Sequence, residues 1–97
     1  MIVEILDAAN SDLEDIADHI AQDNPERALS FVRELRAKCR DLVDFPRTYS
    51  LVEQFASRGV RRRRHGRYLI FFVVEPERIA VIRILHASRD YAAILDS

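Results

Sequence analysis

Arginine is the residue type whose density and spacing predict a chemical role for this chain. Six arginines occur within residues 58–67, and four of them are consecutive, at 61–64. A guanidinium group forms paired hydrogen bonds with phosphate or carboxylate groups. Four consecutive strand residues point two to each face, whereas a charged edge strand needs charge on one face only. The run therefore predicts that at least two of these arginines contact an anionic partner.

Side chains that could transfer protons occur in the same half of the chain as these arginines. Cleavage of RNA through its 2′-hydroxyl group requires a proton acceptor, a proton donor and a cation that stabilises the phosphorane. The candidates are His65, His86, Tyr91, Arg67, Arg83 and Arg89. Arg83 and His86 are expected on opposite faces of a regular strand, and Lys38 is the chain's single lysine. The set is incomplete, so the sequence favours binding over catalysis, and we expect His86 to be hydrogen-bonded to backbone or to Asp90.

The distribution of charge divides the chain into an acidic and a basic half. Residues 1–57 carry 12 acids and 6 bases, a net charge of −6, whereas residues 58–97 carry 4 acids and 9 bases, a net charge of +5. Together they give the overall charge of −1. A basic half composed of arginine is typical of a surface that meets an anionic partner.

Length and composition predict a single folded domain over residues 1–97, with 48% hydrophobic residues. No apolar run approaches the roughly 18 residues that cross a bilayer, and no basic segment precedes an apolar one at the start. We therefore expect a cytoplasmic protein without a membrane partner. The single Cys39 and the three histidines lack the spacing of metal ligands. No metal or cofactor is predicted, and Cys39 is expected to be a packed thiol.

Two amphipathic helices are predicted in the acidic half. Ser11 followed by Glu14 matches a capping box, so the first helix is predicted to begin there, with Asp12 on its solvent side. Asn24 and Pro25 are typical of the cap and first residue of the second helix. The short break between the helices predicts an antiparallel hairpin. The predicted apolar stripes are Leu13, Ile16, Ala17 and Ile20 in the first helix, and Leu29, Val32, Leu35, Cys39 and Leu42 in the second.

The basic half predicts a β-hairpin, with apolar strands over 68–74 and 79–86 joined by a turn at 75–77, and residues 2–6 predict a further short strand. Side chains alternate between the two faces of a strand. In the first strand, one predicted face carries Tyr68, Ile70, Phe72 and Val74, and the other carries Leu69, Phe71 and Val73. In the second strand, one predicted face carries Ile79, Val81, Arg83 and Leu85, and the other carries Ala80, Ile82, Ile84 and His86. Both faces are largely apolar. The helical hairpin can cover one face, so we expect residues 90–95 or a partner to cover the other.

This order of elements resembles the RelE/ParE superfamily of bacterial toxins from toxin–antitoxin operons, and its ParE branch most closely. The most specific motif is an Arg-Ile-Leu-His sequence at 83–86, followed two residues later by Arg89-Asp90. A departure is the four-arginine block, where ParE proteins usually have a Gly-rich loop with a single arginine or so. The similar segments are 13–20, 24–28, 42–47, 66–72 and 82–90.

The resemblance implies an α+β fold with a small twisted antiparallel sheet packed against an N-terminal helical hairpin. It also implies a toxin that inhibits DNA gyrase by binding it, and a cognate ParD-like ribbon-helix-helix antitoxin that neutralises the toxin and provides an indirect contact with DNA. The alternative is a ribosome-dependent mRNA endonuclease of the RelE branch. A third possibility is a member without toxicity that serves in a repressor complex.

For a gyrase-binding toxin, the expected target contacts lie on the basic sheet edge and the C-terminal tail. Arginines supply forked hydrogen bonds, and a short apolar tail is easily remodelled because it is too short to be stable alone. The expected target-binding residues are Arg61, Arg62, Arg63, Arg64, Arg67, Arg83, Arg89, Tyr91, Ile94 and Leu95.

Overall fold

The computed structural model describes residues 1–96, which form a four-stranded sheet and three α-helices. Short 3₁₀ turns lie between the second helix and the second strand, at 41–43, 46–48 and 53–58. Within residues 1–96, no helix has the length and apolar character needed to cross a bilayer. The elements are β1 (Ile2–Ile5), α1 (Asp7–Ala21), α2 (Pro25–Arg40), β2 (Val60–His65), β3 (Tyr68–Val74), β4 (Arg78–His86) and α3 (Tyr91–Asp96).

Helix α1 begins at Asp7, so the prediction of a capping box at Ser11 is wrong. The Leu6 N–H donates to the Val81 carbonyl at 3.0 Å, and Leu6 then occupies the cap position without a side-chain hydrogen bond. Because β1 pairs with the sheet up to the first residue of the helix, no loop separates the two elements. The tertiary pairing therefore sets this helix start.

Helix α2 begins as predicted, because the Asn24 side chain accepts the Arg27 N–H at 3.0 Å and Pro25 follows it. The predicted stripe is wrong at Leu29, which is 63% exposed. Steps of three residues drift by about 60° each around a helix with 3.6 residues per turn, so Leu29 is rotated away from Leu35. The buried residues of α2 are Ala28, Phe31, Leu35 and Cys39.

The sheet has the strand order β1-β4-β3-β2 and confirms the α+β class. The predicted hairpin is confirmed, since β3 pairs with β4 in antiparallel orientation, as β2 does with β3. Strand β1 lies parallel to β4, so the sheet is mixed and not wholly antiparallel. Two parallel strands need a long connection between them. The chain from α1 to β3 connects β1 with β4.

A register shift between Phe71 and Phe72 changes the predicted faces of β4. Phe71 pairs with Arg83, but Phe72 pairs with Val81, which leaves Ile82 as the extra residue of a bulge. Residues after the bulge therefore exchange faces. Ile84 packs with Ile79 and Val81 against the helices, and Leu85 packs on the other side, contrary to the alternation expected from sequence.

Two cores lie on the two faces of the sheet. The helix face, which carries Ile70 and Phe72, packs against α1 and α2. The second face, which carries Leu69 and Phe71, is covered by the 3₁₀ segment 53–58 with Val52 and by α3. Of the two expected covers, the C-terminal segment or a partner, the structure shows the C-terminal segment, and the 3₁₀ segment 53–58 covers the rest of this face.

Cys39 lies in the first core and is fully buried, which confirms the expected packed thiol. Burial raises the pKa of the Cys39 thiol to about 11. The thiol is therefore neutral at physiological pH and unsuited to act as a nucleophile.

Cys39 should react with a disulfide reagent such as DTNB about a hundredfold more slowly at pH 8 in the native protein than in denaturant, because a pKa near 11 depletes the thiolate. The Cys39 thiol loses its proton at a lower pH in the unfolded chain than in the native protein, where its pKa is about 11. Between these two pKa values the unfolded chain binds fewer protons, so the free energy of unfolding falls as pH rises through that window. Rapid native reaction at pH 8 would show that the thiol is accessible.

Candidate functional site

Strand β2 places the four consecutive arginines on alternating sides, as the sequence predicts. Arg61 and Arg63 lie on the helix face, and Arg62 and Arg64 lie on the second face. These two pairs therefore have different neighbours, although Arg63 also borders the pocket that Arg62 and Arg64 line. Their neighbours on β3 are Phe72 for Arg61, Phe71 for Arg62, Ile70 for Arg63 and Leu69 for Arg64.

The two arginines on the helix face are held by backbone carbonyl groups. Arg61 donates through Nη1 to the Tyr49 carbonyl at 2.7 Å and to the Arg47 carbonyl at 3.2 Å. Arg63 donates to the Lys38 carbonyl at 3.0 Å, and its guanidinium lies 5.3 Å from the centre of the Tyr49 ring. These contacts tie residues 47–49 and the end of α2 to the sheet, so both side chains have structural partners.

The two arginines on the second face are exposed and line an open pocket. Arg62 donates through Nη1 to the Tyr91 hydroxyl oxygen at 3.2 Å, and Arg64 donates through Nε to the Gly66 carbonyl at 3.0 Å. The pocket has a volume of about 450 Å³. We call it the arginine pocket, and its lining residues are Thr48, Tyr49, Ser50, Arg62, Arg63, Arg64, Leu69, Ala87 and Tyr91.

The arginines of this region form no ion pair in the described part of the chain, although Glu53 lines a neighbouring depression together with Arg62 and Tyr91. Within residues 1–96, the arginine side chains paired with carboxylates are Arg27, Arg78 and Arg83, none of which belongs to residues 58–67. Arg67 and Arg89 are also exposed and have no ion pair in the described chain. Exposed cations without an ion-pair partner raise the local positive potential, which attracts anions.

Arg83 lies in a partly buried ion pair, in which its own side chain is 27% exposed and that of Asp12 is 7% exposed. Its Nε and Nη2 each donate to the Asp12 carboxylate at 2.8 Å, and the Ile84 N–H donates to the same carboxylate at 2.9 Å. The hydrogen bonds with Asp12 raise the pKa of Arg83. Asp12 is 6% exposed, so its predicted solvent-facing position is wrong. Asp12 precedes Ile16 by four residues and so lies at the edge of the apolar stripe of α1, and this spacing is the feature of the sequence that indicates its burial.

His86 has the structural role that the sequence predicts. Its Nδ1 accepts the Ser88 N–H at 3.1 Å and lies 2.7 Å from the Ser88 hydroxyl oxygen. The ring also meets Tyr68 edge-on at 5.1 Å. Arg83 pairs with Phe71 and His86 with Tyr68, so their backbone positions lie on opposite faces as expected, although the Arg83 guanidinium reaches Asp12 of α1. No proton-transfer pair is formed between them.

The C-terminal helix joins the arginine pocket to the second core. The Tyr91 ring lies 5.2 Å from Phe71, and Leu95 is 4% exposed. Arg58 donates to the Leu95 carbonyl at 3.2 Å and holds the end of the helix. Tyr91 therefore lies both on the pocket wall and on the core, whereas Leu95 can touch a target only when α3 leaves the sheet.

One wall of the pocket is contributed by residues 48–50. Residues 47–57 lack a regular period in the sequence, which indicates a loop with at most a turn of helix, and no pattern there marks a binding site. The placement of this segment follows from long-range contacts, because the Arg62 N–H donates to the Ser50 carbonyl at 3.1 Å. Together, the mixed sheet, the helical hairpin and the arginine pocket describe a small α+β protein with an open pocket lined by arginines.

Comparison with known proteins identifies the family. The family model for the ParE toxin of the type II toxin–antitoxin system, parDE, matches residues 3–91, and the chain belongs to this family. A solved structure described as the chromosomal ParDE TA system from P. aeruginosa shares the fold, with a TM-score of 0.74 and 24% identity over 89% of this chain and 95% of that chain. No curated protein matches the chain. The predicted resemblance is confirmed.

Proposed function

We propose that this chain is a toxin that inhibits DNA gyrase by binding it in the cytoplasm, and that a cognate ParD-like antitoxin neutralises it. The observation that carries the proposal is the family match over residues 3–91. The surface supports it, because the exposed arginines suit recognition of a protein–DNA assembly through forked hydrogen bonds.

The target contacts proposed here are centred on Arg62, Arg64, Arg67, Arg89 and Tyr91. Their side chains lie at or near the arginine pocket or are exposed without an ion pair in the described chain. The other residues expected to bind the target are hydrogen-bonded within the protein or are partly to fully buried. We propose that they support the site and do not contact the target. These supporting residues are Arg61, Arg63, Arg83, Ile94 and Leu95.

The antitoxin is proposed to cover the outer surface of the helical hairpin, where Leu29 is 63% exposed beside the half-buried Val32. Ala17 and Ala21 of α1 complete this apolar depression. An apolar helix of the antitoxin would bury these side chains by the helix-in-groove mode. The contact with operator DNA would then be made by the ribbon-helix-helix part of the antitoxin.

The proposal is tested by gyrase supercoiling and DNA-cleavage assays beside a ribosome-dependent mRNA cleavage assay. The chain is purified with its antitoxin, separated in denaturant and refolded. Inhibition of supercoiling that is reversed by adding antitoxin is the expected result. Arg62→Glu with Arg64→Glu should abolish the inhibition, whereas Arg33→Glu with Arg36→Glu, an equal change of charge on α2, should not. Because Arg33 and Arg36 border the proposed antitoxin surface, reversal by antitoxin is measured with the wild type only. Cleavage of mRNA without any effect on gyrase would overturn the proposal.

His86→Gln should leave inhibition of gyrase within about twofold of the wild type, because His86 is bonded to Ser88 and Gln supplies an acceptor in its place. The measurement is the toxin concentration that halves supercoiling activity. The same variant is assayed for mRNA cleavage. Loss of about a hundredfold in cleavage with the fold preserved is the scale expected for removing a general acid or base, and it would favour an endonuclease.

A further inference from the structure

The arginine pocket presents hydrogen-bond donors and no carboxylate. Arg62 and Arg64 each use one N–H group within the protein, out of five that a guanidinium carries. The Tyr91 oxygen accepts from Arg62, so its own proton is available to a ligand. The Ser50 hydroxyl on the same wall is exposed. A ligand that satisfies these groups must be an anion rich in acceptor oxygens.

The spacing of the charges favours a chain of anions over a single one. Arg62 and Arg64 are two residues apart on one face of β2, a separation of about 6.6 Å along a strand. Arg67 is exposed in the turn that follows β2 and adds a further cation close to Arg64 in the chain. Successive phosphates of a nucleic-acid strand can meet such cations one after another.

The remaining wall of the pocket favours a nucleotide over an acidic peptide. Ala87 and the half-buried Tyr91 ring lie beside the arginines. Aromatic rings next to arginines are the combination that binds single-stranded nucleic acids, because bases stack while guanidinium groups follow the backbone. An acidic peptide would satisfy the arginines but would bring carboxylates, not flat apolar groups, to this wall.

We propose that the arginine pocket binds the phosphodiester backbone of an unpaired DNA strand. The chain would then contact the DNA held by gyrase directly, in addition to the enzyme and independently of the antitoxin. The identity of the strand as DNA rests on the proposed function, whereas the binding of a phosphodiester rests on the pocket itself.

The test is fluorescence anisotropy of the refolded chain with a labelled single-stranded DNA oligonucleotide, measured over a range of salt concentrations. Dissociation constants of about 1–100 µM are expected at physiological salt. Arg62→Ala with Arg64→Ala should weaken binding at least about tenfold. The slope of log affinity against log salt should fall by about 1.4, because each phosphate contact with a single strand contributes about 0.7.

Arg33→Ala with Arg36→Ala is the matched control, since both residues are exposed on α2 and their loss changes the net charge equally. Arg62→Lys with Arg64→Lys should retain the salt slope but bind more weakly, because lysine keeps the charge and loses the forked geometry. If the double alanine variant fails to fold by circular dichroism, Arg64→Ala alone serves, since its protein hydrogen bond is a local one to Gly66.

Three results would overturn the inference: no binding of the oligonucleotide, equal losses in the pocket and control variants, or displacement of the strand by a glutamate-rich peptide at equal charge concentration. An RNA oligonucleotide of the same sequence distinguishes the source of the phosphodiester, and tighter binding of RNA would contradict the assignment to DNA.

The gyrase assay separates this inference from the proposed function. Pocket-dependent DNA binding without gyrase inhibition refutes the function alone, and gyrase inhibition without DNA binding refutes the pocket alone.

Discussion

Asp12→Ala should lower the free energy of unfolding by about 3 kcal/mol, because it removes the buried partner of an ion pair whose Arg83 side chain is 27% exposed and can be partly hydrated. The Arg83 guanidinium and the Ile84 N–H would both lose their acceptor. The expected loss is a large fraction of the roughly 5–15 kcal/mol that stabilises a small domain. Urea unfolding followed by circular dichroism measures the change.

Asp18→Ala is the control for this prediction, because Asp18 is an exposed carboxylate on the same helix. Its removal should change stability by less than about 0.5 kcal/mol. The double variant Asp12→Leu with Arg83→Met should be more stable than Asp12→Ala, since it leaves no buried charge unpaired. Equal effects of Asp12→Ala and Asp18→Ala would show that the Asp12–Arg83 pair contributes nothing to the fold.

Deletion of residues 90–97 should abolish gyrase inhibition while antitoxin binding is retained. The deletion removes Tyr91 from the arginine pocket, but leaves the Leu29 surface on the opposite side of the sheet. Leu29→Asp should give the reverse result, with inhibition retained and antitoxin binding weakened. Inhibition assays and pull-down with the antitoxin measure the two activities.

The same deletion uncovers the second core, so folding must be measured beside activity. Leu95 is 4% exposed, and burial of one such side chain contributes about 1.5–3 kcal/mol. A truncated chain that fails to fold, or that still inhibits gyrase fully, would refute a recognition role for the tail.

Two point variants separate recognition by the tail from packing. Leu95→Ala should destabilise the protein by about 2–5 kcal/mol and leave inhibition by the folded fraction unchanged. Tyr91→Phe keeps the ring on Phe71 and removes the hydroxyl that accepts from Arg62, so it should weaken inhibition at a cost in stability of about 1 kcal/mol. The opposite pattern would identify Leu95 as the residue that meets the target.

Local signals in the sequence were sufficient where neighbouring residues set the geometry. The cap at Asn24, the helix start at Pro25 and the apolar hairpin over β3 and β4 depend on contacts within a few residues. The alternation of Arg61 to Arg64 follows from the two-residue period of a strand. The family resemblance, carried by the motif at 83–90, was also readable before the fold was known.

Tertiary structure decided the features that depend on residues far apart in the chain. The start of α1 is set by pairing of Leu6 with Val81, and the bulge at Ile82 exchanges the faces of the residues that follow. Asp12 is buried beside Arg83, and this partner lies 71 residues away in the sequence. Helical spacing marks Asp12 as a residue at the edge of the apolar stripe, but no periodicity identifies the distant partner in any of these three cases, since each partner lies in a separate element.

The four consecutive arginines show this division most clearly. The sequence by itself determined their charge and that two would point to each face, because both follow from residue type and strand geometry. It could not determine which pair stays available, because an arginine side chain is long enough to reach several acceptors. Only the fold places the Lys38 and Tyr49 carbonyls beside Arg63 and Arg61, and thereby leaves the other pair open to a ligand.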